Sequence, residues 1–346
     1  TMLLFVLLLA AQALGDITSC PSLPPHIPRD VNDVAPSNIK VMMSLGDSMS
    51  AGFGLEGLEG GIDEYRGQVF QLGGDDNATT LFNFMKHYSP SVFGASHGSH
   101  LVELPGEGYY DNDVLNAAQS NAASGTSEFK HQLDHILTTM QAQKTIDMQK
   151  DWKFLNILMG ANTVCPLCDG DMNDIDKVVD DYETYMNNAI QFAYENFPKT
   201  IVNIIPMFNL TGIYNLTQHH DYCFVFHKVI PIECPCAFTS NETKRLLADV
   251  ILTKFRERVI KISREWKEKA LPEFTVIYQT YSFGLRIPSL DFLSTLDCFH
   301  PNKLAHQSLA VATWNSLFLS LAQKPRSWNP SDKLVCPTES SRISTV

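Results

Sequence analysis

Ser48, in Gly46-Asp47-Ser48-Met49-Ser50, and the pair Asp297 and His300, in Asp297-Cys298-Phe299-His300, are the residues whose types could perform covalent chemistry together. A serine hydroxyl is a weak nucleophile until a histidine takes its proton, and the histidine works best when a carboxylate fixes its tautomer. On a turn, residues three apart share one side, so Asp297 can accept the ring Nδ1 proton of His300 and leave Nε2 for Ser48. Pro301 disfavours a helical backbone at His300 and predicts an extended loop there. The chemistry implied is acyl-ester hydrolysis through a serine. Each piece alone is weak, because Gly-Asp-Ser is common in turns and serine and aspartate favour helix caps. The ordered set carries the inference.

Elements must present these groups. Ser48 directly follows the apolar run Ile39 to Leu45, and similar runs recur at Asp113 to Ala117, Phe154 to Met159, Thr200 to Met207 and Thr275 to Tyr281. Short β-branched runs of this kind predict buried parallel strands. Between them, Ile175, Val178, Val179, Tyr182, Met186, Ala189 and Ala193 recur at helical spacing before Pro198, and Leu247, Val250, Ile251, Phe255, Val259, Ile262 and Trp266 do so later. The alternation predicts an α/β fold, a doubly wound three-layer α/β/α sandwich with a mainly parallel central sheet. In such sheets ligands bind beyond the carboxyl ends of the strands. Ser48, Asn121 and Gly160-Ala161-Asn162 each follow a predicted strand and should meet at that edge. Ser48 is expected to open a helix and offer its own N–H to developing negative charge. The glycine-rich stretch Leu55 to Leu72, with Tyr65 and Phe70, would either shape an acyl pocket or form an ordinary surface loop. His87, His97, His219, His220 and His306 are expected at surface or structural positions.

Residues 1–15 read as a signal peptide, an apolar stretch ending in Ala13-Leu14-Gly15 and too short to span a bilayer, although no basic residue precedes it. Residues 16–346 then form a single domain. Sequons at Asn77, Asn209, Asn215 and Asn241 and eight cysteines agree with a secreted, extracellular glycoprotein holding disulfides. Eight cysteines allow about 105 pairings; Cys20 and Cys336 bracket the domain and are the expected staple of its ends. Cys165, Cys168, Cys234, Cys236 and His227 could instead hold zinc, a reading the export signal disfavours. The segment 209–243, with three sequons and three cysteines, is expected to be a stapled, glycosylated surface insertion. A net charge of -12 without a dense basic cluster excludes nucleic acid as a natural partner and leaves lipid contact to apolar residues around a pocket. No second long apolar segment follows and the tail Pro337 to Val346 is polar, so no transmembrane anchor is expected, and a monomer is the simplest assembly.

Ser50 stands where a Gly-x-Ser-x-Gly elbow would need its second glycine. From about Lys40 to Leu321 the chain resembles the GDSL/SGNH hydrolases, and among them the phospholipase B-like branch. The motifs are Gly46-Asp47-Ser48, Tyr65-Arg66-Gly67, Gly73-Gly74-Asp75, Leu115-Asn116, Gly160-Ala161-Asn162 with Cys165 and Cys168, Glu233-Cys234-Pro235-Cys236, and Asp297-Cys298-Phe299-His300. The resemblance implies a flavodoxin-like fold and a secreted lipase or phospholipase that cleaves glycerophospholipid acyl esters without metal or cofactor. It implies Ser48 as nucleophile, His300 as base and then acid, and Asp297 as its orienter. The oxyanion hole would be the Ser48 and Asn121 N–H groups and the Asn162 amide. The chain departs from the family pattern at Asn121, where a glycine is usual, and at Thr163, where an aspartate is usual. Two other readings follow from these departures and from the breadth of the fold: a weakened or inactive lipid-binding homologue, and a short-chain or carbohydrate O-acyl esterase.

Overall fold

The computed structural model describes residues 16–167, 174–230, 233–238 and 241–346. The expected signal peptide, residues 1–15, and Cys168 lie outside the described residues. Four parallel strands, β1 (Ile39–Gly46), β2 (Trp152–Leu158), β3 (Thr200–Ile204) and β4 (Phe274–Tyr278), lie side by side in that order. Nearly every strand residue is buried, which is why these runs are apolar throughout instead of alternating. The expectation that Asp113 to Ala117 forms a further strand is corrected. That segment lies along the free edge of β1, with Ser44 N–H donating to Leu115 O (3.0 Å) and Ala117 N–H to Ser44 O (2.9 Å), but it makes a single isolated bridge, Asn116 to Ser44, and no extended ladder. Val114 adopts φ 54° and Asp113 turns inward to a buried arginine, so the extended run is broken.

The first strand is thus flanked on one side by the 115–119 edge and on the other by β2, the point at which the winding of the sheet reverses. Helices α1 (Ser48–Ala51), α2 (Leu81–Tyr88), α3 (Thr126–Ala142), α4 (Ala161–Val164), α5 (Ile175–Asn196), α6 (Asp221–Val229), α7 (Glu242–Glu268) and α8 (Lys303–Ser316) surround the sheet, together with other short turns. Helix α5 packs on α3 and α7, and α7 also packs on β4. Their apolar stripes meet where Tyr182 stacks on Phe255 with ring centroids 3.9 Å apart. On the other side α2 and α8 join through Phe84, Tyr88 and Trp314. The result is the expected three-layer α/β/α sandwich, with the core along both sheet faces.

Cys20 and Cys336 are bonded, joining positions 316 residues apart, as their placement at the two ends suggested. Cys165 pairs with Cys234 and Cys223 with Cys298, and Cys236 is also oxidised. The zinc reading therefore falls, because oxidised sulfurs cannot serve as thiolate ligands. Within the glycine-rich stretch, Phe70 is not a pocket wall but is fully buried against the His306 ring, whereas Leu58 and Ile62 lie at the surface. His306 Nδ1 accepts the Phe70 N–H (3.2 Å) and burial lowers the ring pKa to about 3, so this histidine is a neutral structural group.

Candidate active site

Ser48 opens α1 immediately beyond β1. Buried Gln132 of α3 clamps the strand end, its Oε1 accepting the Gly46 N–H (2.9 Å) and its Nε2 donating to Gly46 O (2.8 Å). Asp47 caps the helix through the Met49 N–H (3.1 Å). Burial raises the Asp47 carboxyl to about 6 against the opposing pull of the Met49 N–H and His300. The cap holds Ser48 at the sheet edge.

The second half comes from the loop between Leu293 and Asn302. Ser294 N–H donates to His300 O (2.8 Å) and Ser294 Oγ to Gly54 O (2.6 Å), which ties the loop to the chain following α1. Asp297 serves twice. Its Oδ1 accepts the backbone N–H groups of Phe299 (2.9 Å) and His300 (3.0 Å), while Oδ2 lies 2.6 Å from His300 Nδ1. Because a carboxylate only accepts, Nδ1 carries a proton, and in the neutral ring, the form that acts as base, Nε2 accepts from the Ser48 hydroxyl at 2.7 Å. The two halves, 252 positions apart in the chain, form one buried hydrogen-bonded line. Burial disfavours the charged ring, but the Asp297 carboxylate and its hydrogen bond, with Glu233 and Asp47 beyond, outweigh it and raise His300 to about 9. Asp297 is held below the ordinary carboxylate range: burial works against its charge, and His300 with the two backbone donors overcomes it.

Helix α6 braces this loop from outside. Cys223 is bonded to Cys298, Tyr222 Oη donates to Leu296 O (2.9 Å), and His227 Nε2 donates to Asp297 O (2.7 Å) while its ring stacks on Phe238. Cys298, at φ 55°, turns in the left-handed region between the acid and the base.

The expected oxyanion donors occupy the same edge. Asn121 adopts φ 68°, a conformation asparagine reaches more readily than most residues, and its N–H donates to no group among the described residues. Gly160, at φ 143°, starts α4, and Asn162 Nδ2 donates to Ala122 O (3.1 Å), leaving its second proton for a ligand. Thr163, at the other departure, binds the adjacent turn: its Oγ1 accepts the Ser124 N–H (2.8 Å) and lies 2.6 Å from Ser124 Oγ. The two loops are therefore lashed together at the positions where the family pattern changes. Asn121→Gly is expected to leave kcat equal or higher, whereas Asn121→Val should lower it by on the order of 10² through strain at positive φ and loss of one donor. Steady-state kinetics on the two variants checks this pair; a loss with glycine would show that the Asn121 side chain itself contributes.

Sequence reasoning assigned no role to Arg66 or Ser120. Arg66 is fully buried and contacts Glu64 (2.6 Å), Glu103 (3.1 Å) and Asp113 (3.4 Å), and it donates to Asn116 O (3.2 Å). Ser120 Oγ donates to Glu64 Oε1 (2.5 Å) and Ser120 N–H to Glu103 O (2.9 Å), so the network holds the residue just before Asn121. The only sequence signal for it was the Tyr65-Arg66-Gly67 motif.

Asn77, Asn215 and Asn241 are exposed, and half-buried Asn209 accepts from Arg256 (2.8 Å). A surface cavity of about 300 Å³ between α7, β4 and the tail contains none of the site residues.

An α/β/α sandwich carrying a serine, a histidine and an aspartate in one hydrogen-bonded line at the carboxyl edge of its sheet has the construction of the serine hydrolases. The sequence model of the GDSL-like lipase/acylhydrolase family matches residues 42–312, and the chain belongs to that family of ester hydrolases. It is similar to proteins named "Phospholipase B1, membrane-associated". The mouse protein is 25% identical over 352 residues, covering 94% of this chain and 23% of that protein; the rat protein is 27% identical over 331 residues, covering 90% and 21%. The human one is 24% identical over 330 residues, covering 91% and 21%. The chain thus spans less than a quarter of the length of these relatives. No helix among the described residues is long and apolar enough to cross a membrane, and the disulfides fit an oxidising compartment.

Proposed function

We propose that this chain hydrolyses acyl esters of glycerophospholipids through a covalent acyl-Ser48 intermediate, as a secreted glycoprotein. The observation that carries the reading is the 2.7 Å contact between His300 Nε2 and Ser48 Oγ, with Asp297 on the far side of the ring. In the first step Ser48 Oγ bonds to the ester carbonyl carbon as its proton passes to Nε2. The carbonyl oxygen takes the electron pair and the negative charge, facing the N–H groups of Ser48 and Asn121 and the Asn162 amide. Collapse breaks the bond to the alcohol oxygen, which receives the proton from Nε2. Water then repeats the cycle on the acyl-enzyme: His300 takes its proton and returns it to Ser48 as the fatty acid leaves. Every proton in this sequence moves through groups of the chain, the substrate or water.

A lipid substrate is favoured over a small soluble ester by α6. This helix, disulfide-bonded to the His300 loop, exposes Phe224, Val225 and Val229, with Ile230 beyond its end, beside the site. Such an apolar face suits an aggregate of acyl chains. The family and the phospholipase B1 relatives support the same class. The test offers phosphatidylcholine vesicles, a triglyceride emulsion, p-nitrophenyl acetate and an acetylated sugar to the same preparation, with fluorophosphonate labelling of a parallel sample. Labelling at Ser48 with kcat/KM for the phospholipid at least about tenfold above the acetate and the sugar is expected, since apolar contacts discriminate by factors of this size. Preference for the acetylated sugar would replace this reading with an O-deacetylase, and absence of labelling would leave a binding protein. Glycans at Asn77, Asn215 and Asn241, sought by peptide mapping of the exported protein, test the secreted route.

A further inference from the structure

Glu233, from Glu233-Cys234-Pro235-Cys236, has no part in the reaction sequence above, yet its carboxylate faces the His300 ring. Cys234 is bonded to Cys165 and the Cys236 N–H donates to Cys165 O (3.0 Å), so this short segment is anchored to the turn carrying Asn162. Glu233 Oε2 lies 3.6 Å from His300 Nδ1, the nitrogen that Asp297 holds at 2.6 Å. Both side chains are shielded, with 13% of the glutamate and 6% of the histidine exposed. At 3.6 Å the contact is too long for a hydrogen bond but close enough for a strong, weakly screened attraction between carboxylate and imidazolium. No lysine or arginine pairs with Glu233 among the described residues, so its charge is directed at His300. Burial raises the Glu233 carboxyl above the ordinary range, and His300 opposes that rise.

Resting on the proposed esterase reading, we infer that Glu233 is a second carboxylate for His300, a positioning residue that stabilises the imidazolium formed as Ser48 gives up its proton. Asp297 fixes the ring by a hydrogen bond and Glu233 adds charge from another segment. The groups facing His300 are Asp297 on its own loop, Glu233 on the 233–238 segment, Asp47 and Ser48 at the start of α1, and neutral His306 on α8. Phe53 and Phe299 close the remaining sides with ring centroids 5.1 Å away.

Removing one of two carboxylates makes the ring less basic, so its protonated form should give way at lower pH. Glu233→Gln is expected to move the acid limb of the kcat/KM profile down by roughly one pH unit and to lower the plateau about tenfold, with KM little changed. Glu233→Asp should recover part of both effects. Asp297→Asn should retain more activity on its own than when combined with Glu233→Gln, and the double variant should fall below the product of the single losses. Should Glu233→Gln fold poorly, the His300 ring titration followed by NMR in Ser48→Ala, with and without Glu233→Asp, reads the same shift without turnover. An acid limb and ring midpoint unchanged in these variants, with Ser48→Ala inactive, overturns the role of Glu233 and leaves the esterase reading intact. Parental activity in Ser48→Ala overturns the esterase reading itself.

Discussion

Ser48→Ala is expected to lower fatty acid release from phosphatidylcholine by on the order of 10⁶, with KM little changed and fluorophosphonate labelling lost. The size follows from the kind of interaction removed. Ser48 forms the covalent bond, and with its oxygen gone the His300–Asp297 pair has nothing to activate except water, while the oxyanion donors retain only residual catalysis. Folding should survive. The substitution removes a single hydroxyl from a residue 8% exposed and leaves the backbone of α1 unchanged, so a stability change of about 1 kcal/mol is expected. Thermal unfolding alongside the assay separates the two effects: an inactive protein with the parent Tm supports the nucleophile, and an active one removes it.

Arg66→Met should destabilise the fold by about 4 kcal/mol, the largest stability effect expected of one substitution here, because it strands buried carboxylates. Glu64, Glu103 and Asp113 converge on the guanidinium, and the arginine itself has no exposed surface. Exposed pairs such as Lys150–Asp147 sit in water and contribute only about 0–1 kcal/mol, so charge number is not what decides. Burial, followed by the neighbouring Asp113 charge, raises Glu103 to about 7 even with Arg66 present. Without the arginine the folded carboxyls should bind protons still more readily than the unfolded ones. Their protonation relieves the penalty, so the deficit should shrink as pH falls from about 8 to about 5. Urea unfolding at the two pH values measures it; equal stability of variant and parent would show that the network holds nothing together. Any folded fraction should also turn over slowly, since Ser120, beside Asn121, hangs from Glu64 and Glu103.

Local pattern carried the strands and long helices. β1, β2, β3 and β4 were legible as apolar runs, and α5 and α7 as stripes of helical period, because burial on a sheet or beneath a helix leaves a periodic trace in neighbouring residues. The Asp113 to Ala117 run misled, since its edge position and the pull of Arg66 on Asp113 replaced ladder pairing with one isolated bridge. Phe70, a candidate pocket wall from its surroundings in sequence, went to the core beside His306.

For the site, the types and order of Ser48, Asp297 and His300, and the turn spacing that lets the carboxylate hold the ring, could be read from the chain alone, whereas its grip on the Phe299 and His300 N–H groups could not. Whether Asn121 could replace glycine, why Thr163 is tolerated, how Cys223 braces the base and which way Glu233 points depended on contacts between segments tens to hundreds of residues apart. Such pairings leave no periodic mark, because the identity of one partner places no constraint on residues near the other. They arise when a packed sheet edge brings the segments within reach, and only then do φ 68° at Asn121 and 3.6 Å between Glu233 and His300 take on chemical meaning.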